Sequence, residues 1–186
     1  HPPGLSSLDV SITATKLAAK VTFALQDIEA FSPMDSDLDA EVSDAEREAA
    51  KPAIAKLTAE QLRISVDNQQ YASTEPGRVT FDDQNNVHVE LYYPVATVKQ
   101  LQVESKILAL FPEGHQQYLT VRSVDGAVFL EKMLGKQDAQ ASIDVVAANA
   151  EAATGSLFAV FSDFFKLGIE HIVTGYDHLL FLFALL

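Results

Sequence analysis

Apolar residues recur at every second position in one short stretch after another up to about residue 150. That period restricts these stretches to strands with one buried and one solvated face. Leu8, Val10 and Ile12 alternate with polar neighbours, and Thr13 to Lys16 can turn the chain. Leu17 to Leu25 then returns, with Val21, Phe23 and Leu25 on one face. The pattern resumes at Leu62, Ile64 and Val66, where Asp67-Asn68 marks a turn, and again at Val79 and Phe81. Asp82 to Asn86 reads as a loop from its composition. Val87, Val89 and Leu91 alternate, with His88 and Glu90 facing the other way. A strand near Leu101–Glu104 follows. Tyr118 to Val124 and Ala127 to Met133 flank Asp125-Gly126, a hairpin signal because Gly tolerates positive φ. Ile143 to Val146 closes the series. Strands at this spacing predict a mainly β fold, an antiparallel β-sandwich over residues 1–150.

Residues 33–62 break the alternation. They are acidic, Ala-rich and helical in flavour, a short helical insert. Ser43-Asp44-Ala45-Glu46 fits a capping box, in which the Ser caps an amide and the Glu reaches back. Pro52 lacks an N–H and clashes with the preceding turn, so the sequence predicts two helices: one at about 44–50, another from Pro52 to Leu62. Residues 147–155 read as a linker, and residues 151–186 as linker plus the start of a membrane domain with a C-terminal hydrophobic helix.

The formal charge of −13, from 26 acidic and 13 basic residues, repels phosphate backbones and favours cations, so nucleic acid is not expected as a partner. Cys is absent, which removes disulfides and thiolate metal sites. His1-Pro2-Pro3-Gly4 has no initiator Met; a removed signal peptide or a trimmed chain would leave such a start. At the other end, Leu179 to Leu186 are eight apolar residues. They give ~12 Å of helix against the ~30 Å needed to cross a bilayer, so the natural chain is expected to continue.

The acidic insert carries a metal-ligand pattern. Asp35, Asp37 and Asp39 occupy positions 1, 3 and 5 of a twelve-residue EF-hand-like loop. Glu41 would offer its backbone carbonyl at position 7, Val42 is the aliphatic at position 8, Ser43 stands at 9 and Glu46 is the bidentate acid at 12. Ca²⁺, a hard cation that takes many oxygens, is the ion such a loop would hold. Position 6 is Ala40 where the turn wants Gly, and a Cβ in the left-handed region costs roughly 1–2 kcal/mol. The same acids also suit an ordinary solvated helix start, because carboxylates favour the helix N-terminus.

The last segment, 156–186, is apolar and helical, with Phe158, Phe161, Phe164 and Phe165 at helical spacing. Within it stand Glu170, His171, Asp177 and His178. Ionisable groups in a membrane helix are costly and face a polar interior or a partner. His171 and His178 are seven residues apart, on nearly one face but ~10.5 Å apart along the axis, too far to share one ion on a straight helix. Either Gly175 bends the helix or each pairs with groups elsewhere. Imidazole suits Ni²⁺, Co²⁺ and Zn²⁺; a polar packing seam would use the same residues.

The run Gly168-Ile169-Glu170-His171-Ile172-Val173-Thr174-Gly175-Tyr176-Asp177-His178-Leu179-Leu180-Phe181 reads G-x-E-H-I-x-x-G-x-D-H-L-L-F. It resembles the opening of the membrane domain of the HupE/UreJ family, cut within its first transmembrane helix. The D-x-D-x-D insert and the Gly114-His115 strand start resemble the long family members with an exported N-terminal domain. The resemblance implies a nickel or cobalt permease or a relative, with nickel or cobalt as transported ion. It places the protein in the cell membrane with residues 1–150 on the extracytoplasmic side, and makes the lipid bilayer and divalent cations its partners. No G-x-S-x-G, H-E-x-x-H or Gly-rich phosphate loop is present, and no enzyme is expected. Two other readings stand beside transport: a membrane-tethered binding or adhesion module, and an intramembrane metal hydrolase. His88 and His115 read as ordinary strand or turn residues.

Overall fold

The computed structural model describes residues 4–39, 41–95 and 97–154. The chain divides into two compact units, His1–Ala148 and Asn149–Leu186, and all ten described strands belong to the first. The expected C-terminal hydrophobic helix lies outside the described residues. Among the described residues, no helix is long and apolar enough to cross a membrane.

The first unit is mainly β. Strands β1 (Leu5–Ile12), β2 (Leu17–Ala24), β5 (Arg78–Phe81), β6 (Asn86–Tyr93), β8 (Gln116–Ser123) and β9 (Val128–Gly135) form a six-stranded sheet in the order β5-β6-β2-β1-β8-β9. Strands β3 (Leu62–Val66), β4 (Gln69–Tyr71), β7 (Gln100–Ser105) and β10 (Gln140–Asp144) form a second sheet, β10-β7-β3-β4. Both contribute to one hydrophobic cluster. Leu8, Val10, Phe23, Val89 and Leu119 enter it from the first sheet, and Ile64, Leu101 and Val103 from the second. Alternation put these residues on the buried faces, since each is the inward member of its period-two pair.

Three expectations need correction. The sheets are not wholly antiparallel: β1 runs parallel to β8, with Ser6 opposite Gln117, Leu8 opposite Leu119 and Val10 opposite Val121. Such pairing needs a long crossover, and here the chain between Ile12 and Gln116 supplies it. Second, the insert holds one helix, α2 (Asp44–Gln61), which runs through Pro52. Pro52 is exposed while Ile54, Ala55 and Thr58 are buried. Packing of that face holds the helix together, and the carbonyl left without a donor can turn to water. Third, the strand series ends at Asp144 and not at Val146: the chain is helical from Val145, in α3 (Val145–Thr154), over most of the stretch read as a linker. Asp144 caps it, its Oδ1 accepting from Ala147 N at 3.0 Å, and Ala-rich sequence propagates it.

Two turns have the predicted chemistry. Asp67 and Asn68 both hold positive φ, 50° and 66°, the type I′ requirement for the β3–β4 hairpin. Gly126, at φ 91°, turns β8 into β9. A five-residue helix, α1 (Leu25–Glu29), follows β2 and carries Asp27.

Candidate metal centre

The acidic loop lies between α1 and α2, and Asp35, Asp37 and Asp39 converge in it. One carboxylate oxygen from each lies within 4.8 Å of the others. The backbone folds around these acids: Asp39 N donates to Asp35 Oδ1 at 3.2 Å and to Asp37 Oδ1 at 3.3 Å, and Glu41 N donates to Asp39 Oδ1 at 2.8 Å. The bonds to Asp37 and Asp39, which span two residues, are Asx turns, the local bonds by which Asp competes with regular structure. Like charges this close repel, and a divalent cation would relieve them. Asp37 and Asp39 are exposed and Asp35 is half-buried, so hydrated cations have access.

Backbone strain in this loop falls at Leu38. Leu38 holds φ 62° and is 86% exposed, a left-handed conformation that costs an L side chain roughly 1–2 kcal/mol. Ala40, the expected point of strain, lies outside the described residues.

Glu46 has a different engagement from the one its loop position implies. Its Oε1 accepts from Ser36 N at 2.5 Å and Ser36 Oγ at 2.9 Å; its Oε2 accepts from Ser43 N and Ser43 Oγ, both at 2.9 Å. Ser43 Oγ in turn accepts from Glu46 N at 3.3 Å, which completes the capping box at the start of α2. The bonds from Ser36 and Ser43 lower the Glu46 pKa to about 2. Glu46 and Ser43 therefore tie the acidic loop to the helix, and a metal-binding role for Glu46 would require it to exchange these donors for an ion. Asp35, Asp37 and Asp39 are the residues whose carboxylates stand close enough together to hold a cation.

Two histidines sit in polar networks that the sequence reading passed over. His88, on β6, has both ring nitrogens engaged: Nδ1 with Thr22 Oγ1 at 3.0 Å and Nε2 with Asp82 Oδ2 at 3.0 Å. Asp82 also accepts from Gln84 N and Asn86 N at 2.9 Å each, and from Asn86 Nδ2 at 2.8 Å. The Asn86 side chain is the largest cause that holds its carboxyl well below the usual range. This network fixes the β5–β6 turn.

His115 precedes β8 and is buried. Its ring stacks on Phe111 at 3.9 Å and 7° between planes, and Nε2 lies 3.1 Å from Ser6 Oγ. Gln117 Nε2 donates to the same Ser6 oxygen at 3.3 Å. Burial lowers the His115 pKa, and the Asp27 carboxylate partly opposes that. The signal for this cluster was parity. Ser6 shares its strand face with Leu8 and Val10, and His115 and Gln117 share theirs with Leu119 and Val121, so all three polar residues had to point inward.

Glu170, His171, Asp177 and His178 lie outside the described residues, as does His1. A comparison of the sequence with curated proteins finds no match. A comparison with protein families does: residues 147–186 match the model of the family described as HupE / UreJ protein, which is consistent with a HupE/UreJ family protein and, at family level, with a membrane protein connected with metal transport.

Proposed function

We propose that this chain is the extracytoplasmic domain and first membrane segment of a protein that moves or handles divalent transition-metal ions, nickel or cobalt foremost. The observation that carries this reading is the family match over residues 147–186, the stretch that contains Glu170, His171, Asp177 and His178. Buried acids and imidazoles are expensive in hydrocarbon and mark ion paths, and imidazole is a good ligand for Ni²⁺ and Co²⁺. In this reading residues 1–150 face the outside. There the Asp35, Asp37 and Asp39 cluster takes Ca²⁺ and stiffens the link between α1 and α2.

Uptake of radioactive nickel or cobalt by cells that carry the full-length gene tests transport. His171→Ala and His178→Ala are each expected to reduce uptake at least tenfold at equal membrane abundance. Unchanged uptake in both variants would remove the transport reading.

A further inference from the structure

Beside the buried end of the β1–β8 pair, among the described residues, His115 Nδ1 is a buried nitrogen without a hydrogen-bond partner. Ser6 Oγ accepts from Gln117 Nε2 at 3.3 Å and donates its one proton to the Gln116 carbonyl at 3.4 Å. With the Ser6 proton on the Gln116 carbonyl, the fitting tautomer carries its proton on His115 Nε2, 3.1 Å from that oxygen; a Ser6 hydroxyl turned to Nε2 would put the ring proton on Nδ1 instead. In the first tautomer Nδ1 is an unprotonated nitrogen. Among the described residues, Nδ1 has no hydrogen-bond partner, although His115 is only 5% exposed.

The group that faces Nδ1 is another electron-pair donor. Asp27 Oδ2 lies 3.7 Å away, too far for a hydrogen bond. The carboxylate itself is held: Gly4 N donates to Asp27 Oδ1 and Oδ2 at 3.3 and 3.1 Å. The ring is held as well, by the Phe111 stack, and Phe111 packs in turn on Phe31 at 5.1 Å and Phe23 at 5.9 Å. Ring and carboxylate are therefore both held in place, and in the first tautomer no proton lies between them.

From this geometry we infer that His115 Nδ1 and Asp27 form the protein half of a transition-metal site, suited to Zn²⁺, Ni²⁺ or Co²⁺. Such ions take imidazole nitrogen and carboxylate oxygen at about 2.0–2.2 Å. Donors 3.7 Å apart then subtend about 125° at the metal. Closing the gap by about 0.3 Å gives the tetrahedral angle. The bond from Nε2 to Ser6 is the outer contact that sets the tautomer and orientation of a ligating imidazole. Burial favours the neutral ring, which is the ligand form. The Asp27 side chain is 12% exposed, so the carboxylate meets solvent on one side. This site differs from the Asp35 cluster in chemistry, because a nitrogen donor selects against Ca²⁺. As a capture point on the exported domain it rests on the transport reading above.

The test reads His115 itself. The full chain, labelled with ¹⁵N and held in excess Ca²⁺ to occupy oxygen-only sites, is titrated with Zn²⁺ at pH 7.5 while long-range ¹H–¹⁵N spectra follow each ring nitrogen. The expected result is a free, unprotonated Nδ1 that moves to a metal-bound shift, with Nε2 still protonated. His88, whose two nitrogens are both engaged, should not respond. Asp27→Asn should weaken the His115 response at least tenfold. An Nδ1 that carries a proton before Zn²⁺ is added, or one that does not move under excess Zn²⁺, overturns the site. Because the signal is a ring nitrogen and not cellular uptake, this inference can fail while the transport reading stands.

Discussion

Gly77 lets α2 lie against the six-stranded sheet, and replacing it is a clean test of how tightly the two are packed. A Cβ built on Gly77 would stand 2.8 Å from Leu91 Cδ2, 3.3 Å from Val89 Cγ1 and 3.4 Å from the Ala55 Cβ on α2. The first distance is shorter than carbon atoms tolerate. Leu91 and Val89 are both fully buried, so a shift of either has to be taken up by the residues packed around it. The backbone at Gly77 is not left-handed, so the cost of Gly77→Ala is steric. Overpacking of this kind costs about 1–3 kcal/mol. At ~2–4 °C per kcal/mol for a domain of this size, the melting temperature should fall by roughly 2–12 °C. The assay is paired thermal and guanidinium unfolding, where the midpoint should drop at constant m-value. Two glycines bracket the result. Gly126→Ala meets no atom within 4 Å but carries φ 91°, so it should lose about 1–2 kcal/mol to backbone strain alone. Gly135→Ala meets neither problem and should be neutral or gain up to about 1 kcal/mol. Leu91→Val in the Gly77→Ala background should recover part of the loss, because it removes the clashing methyl. A Gly77→Ala protein that melts at or above the unsubstituted one would refute this account of the helix–sheet contact.

Acid sensitivity should trace to Glu46. Its folded pKa is about 2 against an ordinary 4.5, so its contribution to stability is complete above pH 4.5 and fades as pH falls towards 2. Melting curves of the protein and of Glu46→Gln should therefore differ at pH 6 and converge near pH 2; a constant gap across that range contradicts the capping role. Asp82→Ala removes the acceptor for Gln84, Asn86 and His88 and should cost about 1–2 kcal/mol by chemical denaturation, with amide exchange rising at Asn86. Calcium at 100 times its dissociation constant should add about 2.7 kcal/mol to stability, and Asp37→Asn should abolish the gain. A melting temperature indifferent to Ca²⁺ would remove the loop from consideration as a calcium site.

Much of this architecture was legible because it is local. The β1–β2 hairpin, the Asp67-Asn68 turn and the β6 strand follow from alternation and turn chemistry confined to a few neighbouring residues. The capping box was legible for the same reason. Pro52 misled because a rule about backbone donors ignores the buried face, Ile54, Ala55 and Thr58, that keeps α2 continuous. The partner of β1 could not be read, since hydrophobic alternation carries no information about direction or about a partner a hundred residues away. For the same reason the convergence of Ser6, Asp27 and His115 was hidden: each comes from a different part of the chain, and only the fold brings them together. The Asp35, Asp37 and Asp39 spacing was visible, but the bonds from Ser36 to Glu46 were not, because they cross ten residues of irregular loop.

The parallel seat of β1 sets an order of events when the protein is made. β1 can fold back on β2 as soon as both have emerged, but its opposite edge must wait for Gln116–Ser123. At ~5–20 residues per second, the intervening stretch of about 100 residues takes roughly 5–20 s to synthesise. Through that interval the unpaired side of β1 offers a row of amides and carbonyls to any passing strand. The newborn chain is thus most vulnerable to mispairing before β8 arrives, and a factor that shields the first dozen residues should raise its yield more than one that acts later.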